Sequence, residues 1–433
     1  MKFKRKKKNC NLLFSVFLII TCLLSCAKAK SIDDSYYKMS SDKQAPLDVW
    51  DGTYNIDWYS SDKSGNEYTI SSANELAGIA YLVNTGKEDF FGKKINLECD
   101  VFLNNKASIE SWKEVQPKNV WEPIGVCNSR WDGTRSFKGH FNGNNHTIFG
   151  MYIGDSIYSN PVFNGCAVGF FGSVETTYYD GIFLSDIVLS ESLIHLSGQG
   201  TSYVGSLAGT AFGGGLFGYK NGVCNAMSNC LISIEKRIEM VGGLIGLCAV
   251  NCFNSCFSGT FDIPFQTNNF GGLTCGGSYP HFLLNCYLAS DVSFVDHYRL
   301  SSNGALTRDG IPLYCSFFSS NAINSRIYGI GKSRKNEKNT IFWPSGNYKF
   351  SKPDAMISVS DHDVFVVDDV YFACDNRLEA KYPQFVKDDY TLIDALNSFS
   401  LKQVFGIEDE NFFRKWISDI GANNGYPFFG DYR

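Results

Sequence analysis

Short apolar runs separated by glycine and small polar residues recur through the middle of the chain. The runs are GGLFG at 214–218, GGLIG at 242–246 and GGLTC at 271–275, each followed by a second run: SNCLIS at 228–233, NSCFSG at 254–259 and NCYLAS at 285–290. The second glycines, Gly215, Gly243 and Gly272, are spaced by 28 and 29 residues. Related segments occur at 168–172 and 204–209, and a degenerate copy at 303–317. A unit this small cannot bury its own apolar face, so the repeat predicts stacked β units with one continuous core.

Individual positions in the repeat predict how the units stack. The glycine pair allows close approach of successive units, and the leucine after it is expected to point into the core. Asn229, Asn254 and Asn285 fall at matching places. They are either a hydrogen-bonded asparagine ladder or exposed turn residues, and the sequence favours neither. A helical repeat is disfavoured because glycine pairs and asparagine would interrupt every helix.

The N-terminal half has a different pattern. Ser72 and Glu75 form a capping box, and apolar residues then recur at helical spacing up to Gly86, which predicts a helix at 73–84. Residues 94–101 alternate like a strand, and residues 137–149 read as a strand, an Asn-Gly turn and a strand. We expect the helix to cap the open end of the stacked units.

The first 46 residues predict export and a tether. Residues 1–8 carry six basic side chains, and the apolar stretch 12–24 that follows is shorter than the roughly 20 residues of a membrane-spanning helix. The stretch ends in LLSC at 23–26, which resembles the lipobox of bacterial lipoproteins. The resemblance implies that residues 1–25 are a signal peptide and that Cys26 carries the lipid, with 26–46 as a flexible tether. The alternative is an ordinary signal peptide or a membrane anchor with an incidental cysteine.

Composition and charge narrow the class of protein. Aromatic residues make up 15% of the chain, charged residues 19%, and glycine occurs 41 times, which favours β structure. The net charge of −5 becomes −11 when the six basic residues of the signal peptide are removed, and this acidity argues against a nucleic-acid partner. Fifteen cysteines are present. In an exported chain they could form disulfides, but several lie in apolar runs, which favours mostly unpaired, buried thiols.

Several motifs in a fixed order resemble bacterial surface proteins with GLUG repeats. They are DGT at 51–53, ELA at 75–77, WEPIG at 121–125, FKGHFNGNNHTI at 137–148, the GGLFG and GGLIG runs, and NNGYPF at 423–428. The resemblance implies an all-β chain that forms a right-handed parallel β-helix, a solenoid with an N-terminal capping helix and a small mixed C-terminal region. It divides the chain into a cap with the first coils at 47–155, GLUG-like repeats at 156–330, and C-terminal coils or a cap at 331–433. Residues 330–415 match poorly, so the number of coils after residue 300 stays open.

Motifs for catalysis or metal binding are weak. None of the six histidines forms the His-Glu-x-x-His pattern of a zinc protease, so the peptidase activity of some GLUG relatives is not carried over. Cys248, Cys252 and Cys256 are spaced by four, which suits core positions better than a zinc site. The acidic stretch 361–375 favours a solvated loop over a calcium site. We therefore predict no catalytic residue, no metal ligand and no cofactor, and the ligand-binding residues are unknown.

Three functions fit these observations. The leading hypothesis is a non-enzymatic lipoprotein, anchored by its lipid to the outer membrane or cell surface, that binds glycans or proteins in the manner of an adhesin. The alternative is a polysaccharide lyase or glycoside hydrolase on the same scaffold, which a cluster of acids or an Arg–Lys–Asp group on one outer face would favour. The third is a structural or nutrient-capture subunit beside an outer-membrane transporter.

Overall fold

A computed structural model describes sixteen segments of the chain: 49–105, 109–128, 135–160, 165–176, 181–197, 200–213, 222–235, 238–263, 269–275, 283–294, 326–333, 365–367, 370–372, 396–397, 413–417 and 427–432. They belong to one compact unit, Ala45–Ile417 with Pro427–Arg433. The second unit, Met1–Gln44 with Ser418–Tyr426, lies outside the described residues. So do Cys26, the predicted signal peptide and tether, and the acidic stretch at 361–375 apart from two short strands, Phe365–Val367 and Val370–Phe372.

Most helical structure lies in the N-terminal part of the described chain; Leu396 and Asn397 are also helical. Helix α1 is Asp57–Ser60 and α2 is Ala73–Asn84, and two 3-10 turns lie at Ile109–Lys113 and Asp155–Ser159. The prediction of a helix at 73–84 is confirmed. Ser72 Oγ accepts the Glu75 N–H at 3.3 Å, and Glu75 Oε2 accepts the Ser71 N–H at 2.7 Å, one residue before the position that the capping box predicts.

Most regular structure is β. The strands are β1 Glu67–Ile70, β2 Lys94–Leu97, β3 Val101–Phe102, β4 His140–Asn142, β5 Thr147–Phe149, β6 Tyr152–Gly154, β7 Ala167–Val168, β8 Phe171–Glu175, β9 Ile182–Ser190, β10 Leu193–Leu196, β11 Tyr203–Val204, β12 Ala208–Phe212, β13 Gly222–Ser228, β14 Leu231–Ile234, β15 Met240–Gly242, β16 Ile245–Ala249, β17 Asn251–Phe253, β18 Cys256–Phe257, β19 Thr260–Ile263, β20 Asn269–Gly271, β21 Leu283–Phe294, β22 Arg326–Ser333, β23 Phe365–Val367, β24 Val370–Phe372, β25 Arg414–Ile417 and β26 Phe428–Tyr432.

Successive chain segments pair strand by strand. We call the segments 140–175, 182–212, 222–249 and 251–274 rungs 1 to 4. Strands β9, β10, β11 and β12 of rung 2 pair in parallel with β13, β14, β15 and β16 of rung 3. Rung 4 continues the first three of these columns with β17 and β18, β19 and β20. The order of strands along the chain is therefore the same in each rung, and each strand lies beside its counterpart.

The fold-class prediction is confirmed at the level of a mostly β protein with parallel sheets and few helices. Among the described strands, only the pairs β23–β24 and β25–β26 are antiparallel. The strands on either side of the Asn-Gly turn, β4 and β5, both pair in parallel with β9. The turn thus bends one rung and does not form a hairpin, because each flanking strand finds its partner in the next rung.

The predicted repeat is correct in one interval and wrong in another. Gly242 lies opposite Gly271, as the 29-residue spacing predicts, and Leu244 and Leu273 are buried. A Cβ added to Gly243 would lie 2.2 Å from the Gly272 carbonyl oxygen, so this glycine is required for the close approach of the rungs. In the preceding rung, however, the partner of Val241 is Val204. The stacked counterpart of GGLIG is therefore the segment at 204–209; GGLFG at 214–218 lies outside the described residues.

Cysteine contributes to the interior. Cys230, Cys248, Cys252 and Cys256 are free thiols with no exposed surface. Burial raises the pKa of Cys248 to about 12. The prediction that Cys248, Cys252 and Cys256 occupy core positions is confirmed, because each packs as a small apolar side chain within a rung.

A column of one aspartate and three asparagine side chains runs across the rungs at one corner. Asp186, Asn225, Asn254 and Asn285 all have a positive φ, between 45° and 56°, a conformation that asparagine and aspartate tolerate better than most residues. Each amide donates to the side chain of the preceding rung: Asn225 Nδ2 to Asp186 Oδ1 at 2.9 Å, Asn254 Nδ2 to Asn225 Oδ1 at 2.7 Å, and Asn285 Nδ2 to Asn254 Oδ1 at 2.6 Å. We call these four residues the ladder.

The ladder interpretation is confirmed for Asn254 and Asn285 and is wrong for Asn229. The strand register places Asn225, and not Asn229, opposite Asn254. Asn229 instead accepts the Glu191 N–H at 2.9 Å. The ladder ends at Asn285 because the register between β21 and β22 shifts between Leu284 and Cys286, which leaves Asn285 without an opposite residue.

The C-terminal hairpin of β25 and β26 covers the ladder. Arg414 Nε donates to Asp186 Oδ1 at 2.7 Å, and its backbone N–H donates to Asn225 Oδ1 at 3.1 Å. Asn254 Nδ2 donates to the Arg414 carbonyl at 3.0 Å, and Trp416 Nε1 donates to Asn254 Oδ1 at 2.7 Å. The Asp186 and Arg414 side chains are only 6% and 7% exposed, so this is a buried ion pair within a hydrogen-bond network.

We predict that Asn254→Ala lowers the free energy of unfolding by about 3 kcal/mol. The change removes the partner of the Trp416 indole and of the Asn285 amide, and it places alanine at a positive φ. Urea unfolding measures the effect. The control is Asn66→Ala at an exposed position, which should change stability by less than about 0.5 kcal/mol. Equal effects of the two substitutions would contradict the ladder.

Candidate functional site

A close crossing between helix α2 and the preceding segment builds an exposed cluster. The Asn55 N–H donates to the Asn74 carbonyl at 2.8 Å, which holds residues 53–55 against the first turn of α2. A Cβ added to Gly78 would lie 2.2 Å from the Asn55 carbonyl oxygen. Glycine at this helix position therefore lets the segment lie directly on the helix backbone.

Two tyrosines meet above this crossing. The rings of Tyr54 and Tyr81 stack with centroids 4.0 Å apart and an interplanar angle of 11°. Lys87 Nζ lies 4.3 Å from the centroid of the Tyr81 ring and is hydrogen-bonded to the Tyr81 hydroxyl. Tyr54 is 50% exposed, so one face of an aromatic pair is presented to solvent with a cation beside it.

The hydroxyl groups of this pair are electrostatically distinct. The hydrogen bond from Lys87 lowers the pKa of Tyr81, because the ammonium group stabilises the phenolate. The hydrogen bond with Tyr81 raises the pKa of Tyr54. Tyr54 therefore remains a neutral phenol that can both donate and accept hydrogen bonds.

A polar group borders the tyrosines. Asp51 Oδ1 accepts the Thr53 N–H at 2.8 Å, the Thr53 hydroxyl at 2.7 Å and Asn74 Nδ2 at 2.8 Å. The bond from the Thr53 backbone is the largest cause of the lowered pKa of Asp51, so this carboxylate is charged at neutral pH. Asn74 and Tyr81 lie seven positions apart in α2 and therefore on one face of it.

We call this exposed cluster the Tyr54 patch; its residues are Asp51, Thr53, Tyr54, Asn74, Tyr81 and Lys87. Trp50 packs beneath the patch and supports it. Trp50 Nε1 donates to the Thr53 carbonyl at 2.7 Å, and the Trp50 ring meets Trp121 edge-on with centroids 5.8 Å apart. Trp121 stacks on Phe170 at 5.3 Å. The chain of aromatic contacts connects the patch to rung 1, so the patch rests on a packed base.

Aromatic faces beside fixed polar groups suit the recognition of a carbohydrate. The C–H face of a pyranose ring packs on an aromatic ring, while planar amides and carboxylates bond its hydroxyls. The Tyr54 patch offers an open tyrosine ring, a carboxylate, an amide and an ammonium group within one short stretch of surface.

Glu122 is a buried acid that is held by hydrogen bonds from two asparagine side chains. Burial raises the pKa of Glu122, although hydrogen bonds from Asn84 Nδ2 at 2.8 Å and Asn160 Nδ2 at 2.6 Å oppose the shift. Asn84 also accepts the Gly125 N–H at 2.7 Å. Glu122 therefore links the end of helix α2 to the segment that follows Trp121.

The structure does not test the one site residue that the sequence predicts. Cys26, the predicted lipid attachment site, lies outside the described residues. No group of three or more His, Cys, Asp or Glu side chains arranged to hold a metal ion occurs in the part of the chain that the structure describes. The described helices include none that is long and apolar enough to cross a membrane. The Tyr54 patch itself was not predicted, although glycine inside a predicted helix and Tyr81 seven residues after Asn74 were its visible signals.

Comparison with known proteins found similarity to a solved structure. No family model and no curated protein matches the chain. A crystal structure from Bacteroides ovatus, described as a candidate immunoglobulin A1 protease, is similar with a TM-score of 0.37 and 16% identity, covering 84% of this chain and 94% of the other.

We predict that Gly78→Ala destabilises the protein by about 2 kcal/mol, because the new methyl group must displace residues 53–55. Glycine to alanine in an open helix position has the opposite sign and stabilises by about 1 kcal/mol. Urea unfolding gives the sign, and hydrogen exchange of the Asn55 amide should accelerate in the variant. A stabilised variant with an unchanged Asn55 exchange rate would disprove the close crossing.

Proposed function

We propose that this protein is an exported bacterial lipoprotein that binds glycans at the cell surface without degrading them. The Tyr54 patch is the observation that carries the proposal. Its open tyrosine ring and its ordered Asp51–Thr53–Asn74 group provide stacking and directional hydrogen bonds together. A protein ligand that displays sugars would use the same surface, which fits an adhesin-like role for glycans or glycoproteins.

The scaffold we propose is a right-handed parallel β-helix, with helix α2 as the N-terminal cap and a small mixed C-terminal region. The constant order of strands in rungs 1 to 4 and the ladder support this arrangement. The resemblance to GLUG-repeat surface proteins is consistent with it. A stacked array would give the patch a rigid support.

The proposed location rests on the first 26 residues. A basic head, a short apolar run and the lipobox-like LLSC at 23–26 favour lipid attachment at Cys26 and retention in the cell envelope, at the outer membrane or cell surface. Two acyl chains or more would hold the protein at the membrane, and the polar stretch up to residue 46 is the proposed tether.

Binding is tested by retention on a panel of immobilised polysaccharides and host glycoproteins, with product release measured in the same incubation. Wild-type protein should be retained by at least one of them without new products. Tyr54→Ala should weaken that interaction about tenfold, because it removes the stacking ring. Phe91→Ala is the matched control, since Phe91 is 56% exposed and lies outside the patch.

Two results would overturn the binding proposal. Release of oligosaccharides would establish the degradative alternative. Retention that is lost equally in the Tyr54 and Phe91 variants, or in neither, would remove the patch from the binding site.

Lipid attachment is tested by metabolic labelling with an alkyne fatty acid in a bacterium that processes lipoproteins. We expect wild-type protein to take up label and Cys26→Ser to lose all of it, because this thiol is the attachment point. The control is Cys22→Ser, inside the apolar run, which should label like the wild type. Persistent label in the Cys26 variant would exclude Cys26 as the lipid site.

A further inference from the structure

Two pairs of cysteines meet between neighbouring segments of the described chain. In the first pair, the Cys166 N–H donates to the Cys127 carbonyl at 2.7 Å, and the two thiols are hydrogen-bonded. In the second pair, Cys286 Sγ donates to the Cys252 carbonyl at 3.4 Å, and these thiols are also in contact. In both pairs one cysteine bonds the carbonyl of the other and the thiols touch, but the exposure of the two pairs differs.

Glycine at position 165 allows the two segments of the first pair to approach each other closely. Gly165 precedes Cys166, and a Cβ at Gly165 would lie 3.2 Å from the Cys127 carbonyl oxygen and 3.3 Å from its nitrogen. Glycine therefore allows the backbone before β7 to lie close against Cys127. Backbones in direct hydrogen-bonded contact fall within the range of separations that a disulfide requires.

Access differs between the pairs. Cys166 is partly exposed and Cys127 is fully buried, in a small apolar cluster with Ala167 and Tyr203. Cys252 and Cys286 have no exposed surface and belong to the main core. The first pair therefore contains one cysteine that is partly open to solvent, and the second pair contains none.

The electrostatic setting of the thiols reinforces this difference. The hydrogen bond from the Cys127 thiol is the largest cause of the lowered pKa of Cys166, and it outweighs the effect of burial. The contact with Cys286, together with burial, raises the pKa of Cys252 well above its ordinary value. Since the thiolate is the reactive form, Cys166 is the better nucleophile at neutral pH.

We propose that Cys127 and Cys166 are an oxidisable pair that closes to an intrachain disulfide when the protein meets a small-molecule or protein disulfide. The Cys166 thiolate attacks the external disulfide, forms a mixed disulfide and releases one thiolate. Cys127 then loses its proton and attacks the Cys166 sulfur, and the second external thiolate leaves and is protonated. The protein loses two hydrogens as protons and two electrons, and the external disulfide is reduced to two thiols.

The Cys127–Cys166 disulfide would link the segment that supports the Tyr54 patch covalently to rung 1. Cys127 lies in the same described segment as Trp121, which supports Trp50 and the Tyr54 patch. Cys166 lies directly before β7 in rung 1. The inference rests on the proposed export only for the oxidising compartment where the reaction would occur; the chemistry of the pair does not depend on it.

The test uses the full chain with Cys26→Ser, purified in detergent under reducing conditions. It is exposed to oxidised glutathione, the remaining thiols are blocked with N-ethylmaleimide, and peptides are analysed by mass spectrometry. We expect a linked Cys127–Cys166 peptide pair that is about 2 Da lighter than its reduced components. The matched internal control is the Cys252–Cys286 pair, which should be recovered as thiols that are blocked only after denaturation.

A trapping variant identifies the order of steps. In Cys127→Ser the mixed disulfide cannot be resolved, so Cys166 should carry glutathione. Wild-type protein in which Cys166 is blocked or carries glutathione while Cys127 stays a thiol would overturn the proposal, whether or not the variant folds. Formation of the disulfide in purified protein, with no lipid label on the wild type in cells, would uphold the pair and reject the proposed location.

Discussion

The hydrogen-bonded column of Asp186, Asn225, Asn254 and Asn285 is the constraint on which the stacked rungs depend. Each residue turns the chain at a positive φ and bonds the corresponding side chain in the neighbouring rung. A shift of one residue between two strands would move every core side chain to the opposite face and break this column at the same time. The ladder and the apolar core therefore fix the same register, because a shifted pairing would lose both.

The C-terminal hairpin completes this arrangement. Without the hairpin, the polar side chains of the ladder would lack these hydrogen-bond partners. The Arg414 guanidinium bonds Asp186, the Arg414 backbone N–H bonds Asn225, and the Trp416 indole bonds Asn254. Removing one partner of such a buried network leaves the others unsatisfied, so the hairpin and the rungs stabilise each other. The Tyr54 patch is connected to the stacked rungs, because Trp50 below it contacts Trp121, and Trp121 stacks on Phe170 of rung 1.

Local signals in the sequence predicted what local forces determine. Helix α2 was predictable because its cap and its apolar spacing lie within twelve consecutive residues. The 29-residue interval between Gly242 and Gly271 was visible as a repeat. The partner of Val241 was misassigned because the interval from Val204 to Val241 is 37 residues, and the GGL motif at 214–218, outside the described residues, resembled the counterpart at 204–209.

Long-range pairing left no comparable signal. Nothing near Asp186 indicates that its partner is 228 residues away, and nothing near Asn225 distinguishes it from Asn229 before the register is known. Exposure of Tyr54 depends on how residues 53–55 cross α2, which in turn depends on the space above Gly78. The candidate site thus arises from tertiary contacts, while the β character was predictable from sequence patterns.

The most direct test of this account is native-state hydrogen exchange of the amides of residues 413–417, compared with those of β9 and β13. If the hairpin and the ladder form one cooperative unit, the Arg414 amide, which donates to Asn225, should exchange as slowly as the strand amides. Fast exchange throughout 413–417 beside protected β9 and β13 would contradict the account, because the ladder would then stand without the segment that satisfies it.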